Sequence, residues 1–175
     1  MVSWIQRYAR WLHTRWPAGV VEKLPAVNED GSTSVPGLYI TGDLTGVPLL
    51  KFSSDSGARA VRTILADSRF RARANAAGAP GGSPLDLVII GAGVSGMAAA
   101  LEARKAGLSL ELLEAAEPFA TIVNFPKAKP IYTYPTDMTP AGELQFSPKS
   151  DIKEGLLEEL RALMREHSNE VRIAR

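Results

Sequence analysis

An α/β fold built on a parallel sheet is the class this sequence predicts, and three observations carry the prediction. The run Leu85-Asp86-Leu87-Val88-Ile89-Ile90 is almost continuously apolar, as expected of a parallel strand buried on both faces. Gly91-Ala92-Gly93-Val94-Ser95-Gly96 follows it directly and opens a helical stretch that runs through Lys105, with Gly107 placed as the C-terminal cap. A second apolar run, Leu108 to Leu113, comes next, so the order is strand, helix, strand.

From the N-terminus, Trp4, Tyr8, Trp11 and Leu12 recur at helical spacing with Arg7 and Arg10 beside them, and Pro17 ends the pattern. This predicts an amphipathic helix whose stripe suits either a membrane surface or, the simpler account, a protein core. Val20 to Val27 reads as a short strand, and Asn28-Glu29-Asp30-Gly31-Ser32 as a turn. Val35 to Asp43 reads as an apolar strand with Gly42-Asp43 at its exit, and Ser53 to Ala66 as a helix. Residues 67–84 are rich in Arg, Ala, Gly, Pro and Ser without periodicity, the composition of a flexible linker. The predicted organisation is thus 1–66, an N-terminal helix with the Gly-Asp segment; 67–84, the linker; and 85–175, the glycine-loop segment. Within the last, Pro118 to Pro148 predicts a long ordered loop, Asp151 to His167 an amphipathic helix bearing Ile152, Leu156, Leu160 and Leu163, and Val171 to Ala174 a third strand. The sequence stops inside that strand, which predicts a truncated unit.

Bulk properties narrow the function. The 175 residues carry 20 basic and 19 acidic side chains, so no whole-chain field favours nucleic acid or an anionic membrane. Cysteine is absent, which excludes a disulfide framework, a thiolate metal site and a Cys-x-x-Cys step within these residues. No stretch approaches the roughly 20 apolar residues of a membrane span, and a cytoplasmic location is expected. His13 and His167 have no ligand spacing around them, so no metal site is predicted.

Glycine-rich hexapeptides also occur in ordinary turns, and the context decides here. In a Rossmann-like unit Gly91 permits the tight turn, Gly93 lets the backbone approach a pyrophosphate, and Gly96 permits close helix–strand contact. The amides of residues 91–96 and the partial positive charge of the helix start then face the phosphates. Glu114, at the tip of the second strand, is placed to accept bonds from ribose hydroxyls, and its charge disfavours a 2′-phosphate. FAD or NAD is therefore preferred to NADP. A purely structural βαβ unit is the bland alternative.

The segment from Asp86 to Glu114 resembles the FAD-binding start of the two-dinucleotide flavoprotein disulfide reductases, especially the low-molecular-weight thioredoxin reductases and the bacillithiol disulfide reductases. Separately, Thr33-Ser34-Val35-Pro36-Gly37-Leu38-Tyr39-Ile40-Thr41-Gly42-Asp43 is similar to the second FAD motif of those families. The resemblance implies a Rossmann-like FAD/NAD(P)-binding three-layer fold, with Gly42 and Asp43 on the ribityl and pyrophosphate side of FAD and the following helix aimed at the flavin ring. The segments at 120–126 and 131–137 fall where relatives wrap that ring, although an ordered aromatic loop explains them equally. It further implies hydride transfer from NAD(P)H in the complete enzyme, whose NAD(P)H domain is missing here, and a possible homodimer.

The motif order is reversed relative to that family. Either the domain is circularly permuted, with residues 38–40 parallel to residues 88–90 in one sheet, or the chain holds two truncated modules. Three functions remain open: the FAD-binding part of a thioredoxin reductase-like oxidoreductase, a non-catalytic FAD/NAD-binding module, or an inactive fragment.

Overall fold

The computed structural model describes residues 4–15, 24–70, 85–147, 151–167 and 173–174. The helices are α1 (Trp4–Arg15), α2 (Leu50–Ala66), α3 (Val94–Lys105), α4 (Ala120–Val123) and α5 (Lys153–Glu166); the strands are β1 (Leu87–Ile90), β2 (Leu110–Leu113) and β3 (Ile173–Ala174). The strands form one parallel sheet in the order β1-β2-β3, with Leu87 opposite Leu110, Ile90 opposite Leu113 and Leu112 opposite Ile173. This is the mixed α/β, Rossmann-like arrangement that the strand–helix–strand pattern predicts.

Helix α3 makes the crossover from β1 to β2 and supplies the largest share of the core. Met97 and residues 98–103 are buried, and the alanines among them let another helix come close. That helix is α2, which packs along α3 with Gly57 against the Ser95 carbonyl and Val61 in the shared cluster. A Cβ on Gly57 would stand 2.2 Å from the Ser95 carbonyl oxygen, so only glycine allows this approach. Val61 joins Leu101, Leu112, Phe119, Leu144 and Leu156 in one hydrophobic cluster. Residues from both sides of the predicted linker therefore share a core.

Two expectations fail. Residues 35–43 are not a strand of the sheet, and 38–40 do not pair with β1. Pro36 removes a ladder donor and Gly37, at φ +82°, turns the chain, so the run closes on itself through an isolated antiparallel bridge between Ser32 and Tyr39. The Ile40 amide donates to the Gly31 carbonyl at 2.9 Å, and a short 3-10 helix, Gly42–Thr45, follows. The parallel pairing expected of a permuted domain is thus not formed. The second failure concerns β1, expected to be buried on both faces. Leu87 and Ile89 face the core, whereas Val88 is 51% and Ile90 86% exposed, because nothing among the described residues covers that face.

Elsewhere the differences are small. Helix α2 starts at Leu50 rather than Ser53, and β2 at Leu110 rather than Leu108. The turn at residues 28–32 forms, with the Asp30 carboxylate accepting from the Ser32 amide at 3.0 Å and hydroxyl at 2.6 Å. Residues 24–27 form no strand, and residues 20–23 of that expectation, like 71–84 of the linker, lie outside the described residues. Residues 118–147 are irregular apart from α4 and are tied to α2: the buried Lys51 ammonium donates to the carbonyls of Pro135 and Met138, each at 2.6 Å, and Ser54 Oγ to that of Leu144 at 2.8 Å. In α5, Leu156 and Leu160 are buried as predicted, while Ile152 becomes the exposed N-cap.

Candidate functional site

The three glycines of the loop between β1 and α3 are glycine for three different reasons. Gly91 has φ +99°, a left-handed conformation that other residues rarely adopt, and its amide donates to the Leu113 carbonyl at 2.7 Å. Gly96 is forced by packing, since a Cβ there would lie 1.9 Å from the Gly91 carbonyl oxygen. Gly93 is forced by neither. Its φ of −74° suits any residue, and a Cβ would meet nothing within 4 Å. Beyond the N-cap preference for a small residue, the fold does not require glycine at 93, and the space beside its backbone is open.

Gly93 is also the N-cap of α3. No side chain caps this helix, and its first turn, Val94-Ser95-Gly96, contains no acidic residue. Its leading amides and partial positive charge therefore remain available to an anion. Helix α2 begins in the same way, with Leu49 as N-cap, no side-chain cap and no acidic residue in its first turn.

Glu114 stands at the end of β2 and reaches back to the loop. Its carboxylate accepts from the Ala92 amide at 2.7 Å and the Ala116 amide at 3.0 Å. These bonds, that of Ala116 foremost, hold its pKa below the ordinary glutamate value, so it is charged at neutral pH. The carboxylate thus lies beside the glycine loop with acceptor capacity left for hydroxyl donors.

The Gly-Asp segment reaches the same place without joining the sheet. Ser95 Oγ donates to Thr41 Oγ1 at 2.7 Å, and a Cβ on Gly42 would lie 3.0 Å from the Ser95 Cβ. The Gly42 amide donates to Ser56 Oγ at 3.0 Å. Asp43 is exposed, and its carboxylate accepts from Ser53 Oγ at 2.9 Å, which fixes it near the start of α2. Thr41 and Gly42, rather than the Asp43 carboxylate, make the bonds and contacts to the α3 turn.

The predicted residues Gly91, Ala92, Gly93, Val94, Ser95, Gly96 and Glu114 thus form one cluster, with Gly42 against it and Asp43 at its margin. Thr41, Ser56, Gly57 and Lys51 complete the frame and were not singled out from the sequence. The legible signal was the stretch Ser53-Ser54-Asp55-Ser56-Gly57 inside a helix, since such residues favour turns unless they have partners. In the loop pinned by Lys51, Tyr132 and Tyr134 stack at 6.0 Å between centroids and both are exposed. His167 is the C-cap of α5, while the His13 side chain lies outside what is described; among the described residues no group of three His, Cys, Asp or Glu could hold a metal.

Residues 86–124 match the family model of the FAD binding domain. They span β1, the glycine loop, α3, β2, Glu114 and α4. Among solved structures, bacillithiol disulfide reductase from Staphylococcus aureus is similar, at 22% identity and a TM-score of 0.41, over 49% of this chain and 27% of that one. The chain therefore spans about a quarter of that enzyme's length. No curated protein matches the sequence.

Proposed function

We propose that this chain binds FAD and is the FAD-binding part of a flavoprotein oxidoreductase that takes hydride from NAD(P)H, as in thioredoxin reductases. The observation that carries the reading is Gly93, a glycine that neither φ nor packing requires, inside the segment matching the FAD binding domain. In this reading Gly93 and the first-turn amides of α3, from Val94 onward, receive the pyrophosphate, while Gly91 and Ala92, whose amides are bonded to Leu113 and Glu114, shape the loop. Glu114 accepts from the adenosine ribose hydroxyls. Gly42, packed against Ser95, and Asp43, bonded to Ser53, approach the same ligand from the α2 side, and Tyr132 and Tyr134 offer apolar surface to the flavin ring.

FAD, when bound, supplies the hydride chemistry, and the chain contributes orientation and charge. The sequence has no second Gly-x-Gly-x-x-Gly and no cysteine. The NAD(P)H site and any dithiol therefore come from another segment or a different subunit, since a second copy of this chain would bring neither. The same two features favour a second reading, a non-catalytic module that holds FAD or NAD without turnover.

Titrating the purified chain with FAD tests the proposal. Flavin absorbance that copurifies or is acquired at one equivalent, and persists through gel filtration, supports it. A chain that takes up NAD but no flavin favours the second reading, and one that takes up neither overturns both. Photoreduced flavin that never reoxidises with any acceptor would separate module from enzyme.

A further inference from the structure

We propose that α1 is a surface-binding helix for anionic lipid bilayers, independent of the dinucleotide site. At 100° per residue, positions 4, 5, 8, 11 and 12, which are Trp4, Ile5, Tyr8, Trp11 and Leu12, fall within one arc of about 120°; Arg15 falls inside that arc, Arg7 at its edge, and Gln6, Arg10, His13 and Thr14 over the remainder. The apolar arc is not consumed by the protein. Helix α1 packs against no other helix or strand among the described residues, and Trp4, Ile5, Tyr8 and Trp11 are 78%, 67%, 54% and 47% exposed. Their rings form a continuous strip, Trp4 stacked on Tyr8 at 6.1 Å and Tyr8 on Trp11 at 6.0 Å. A core-docking helix would bury this strip.

Charge selects the partner. The helix WIQRYARWLHTR carries Arg7, Arg10 and Arg15 and no Asp or Glu, in a chain whose net charge is only +1. Basic charge is thus concentrated where the exposed aromatics are. Indole and phenol rings, apolar in body and polar at the rim, settle at the headgroup level, where arginines meet lipid phosphates. A protein groove would also accept the aromatic strip, but a short helix with three arginines and no acidic residue matches an anionic surface. With 12 residues the helix is far too short to span a bilayer and would lie in its plane.

The three tryptophans of the chain are Trp4, Trp11 and Trp16, so tryptophan emission reports on this segment alone. The full chain is titrated with vesicles of phosphatidylcholine alone and of equimolar phosphatidylcholine and phosphatidylglycerol, and binding is read by flotation and by the emission maximum. A blue shift and flotation with the anionic vesicles are expected, with partitioning weakened at least about tenfold on neutral vesicles, at high salt, or by Arg7→Glu with Arg10→Glu. Trp4→Gln with Trp11→Gln tests the aromatic strip and should weaken partitioning similarly, read by flotation. Equal binding to both vesicle types, or none, overturns the proposal. So does emission already blue-shifted without lipid, which would place the strip on this chain's core or on a second copy.

Discussion

Backbone ladders hold the glycine-loop unit, and side chains hold the Gly-Asp segment. In the first, β1 pairs with β2 over four residues, the Gly91 amide extends the ladder to Leu113, and α3 closes the crossover. In the second, a single bridge at Ser32 and Tyr39 and local turn bonds such as that from the Ile40 amide to the Gly31 carbonyl shape the chain, and its position depends on Thr41–Ser95, Gly42–Ser56 and Asp43–Ser53 bonds. A unit built on ladders is specified by its own periodicity. A segment held in place by side-chain bonds depends on what it docks against, here α2 and the first turn of α3. The two meet beside the glycine loop, where the proposed dinucleotide would touch both.

Substitutions that add a single side chain sharpen this contrast, and the largest effect is expected at Gly96. Gly96→Val drives a Cβ into the Gly91 carbonyl and should destabilise the chain by about 4 kcal/mol or more, abolishing a cooperative thermal transition. Gly93→Val should leave stability within about 1 kcal/mol of the parent, because the site is open, yet eliminate FAD uptake. Equal destabilisation by the two would show that Gly93, too, serves only the fold.

Gly57→Ala comes next and tests whether the segments share a core. Helix propensity alone favours alanine by about 1 kcal/mol. The 2.2 Å approach to the Ser95 carbonyl oxygen opposes it more strongly, so a net loss of roughly 1–3 kcal/mol is expected in urea denaturation. A gain in stability would mean that α2 and α3 are not in contact in solution. Asp43→Ala removes an exposed carboxylate and should barely alter the denaturation midpoint. In an FAD titration it should nevertheless weaken binding by about 1–3 kcal/mol; unchanged affinity would place the Gly-Asp segment outside the site.

The smallest effect concerns pH. The Ala116 and Ala92 amides stabilise the charged form of Glu114, so its pKa is lower folded than unfolded. The stabilisation is complete above the ordinary glutamate pKa and is lost as pH falls through the lowered folded value. Glu114→Gln should flatten this limb of the stability–pH curve and leave the neutral-to-basic limb unchanged. An unaltered acid limb would mean that the carboxylate is solvated rather than bonded to the loop.

The same contrast explains what was legible in the sequence. Val88 to Ile90, the glycine loop, α3, β2 and Glu114 were readable because local pattern and fold agree there. Residues 35–43 were misread because Tyr39 and Ile40 have strand propensity, while Pro36 and Gly37 turn the run back on itself. Thr41, Ser56 and Gly57 were missed because their partners, Ser95 for Thr41 and Gly57 and the Gly42 amide for Ser56, lie from 14 to 54 positions away, and no local period marks such contacts. The exposure of Val88 and Ile90 was equally unreadable, since a strand's own composition does not say how many of its faces are covered.

The central claim is that Gly91–Gly96 and Gly42–Asp43 serve one FAD, and hydrogen–deuterium exchange with and without FAD tests it most directly. The amides of residues 41–46 and 91–97 should gain protection together, with the same dependence on FAD concentration, while those of α5 remain unchanged. Protection confined to residues 91–97, with 41–46 exchanging as before, would contradict it.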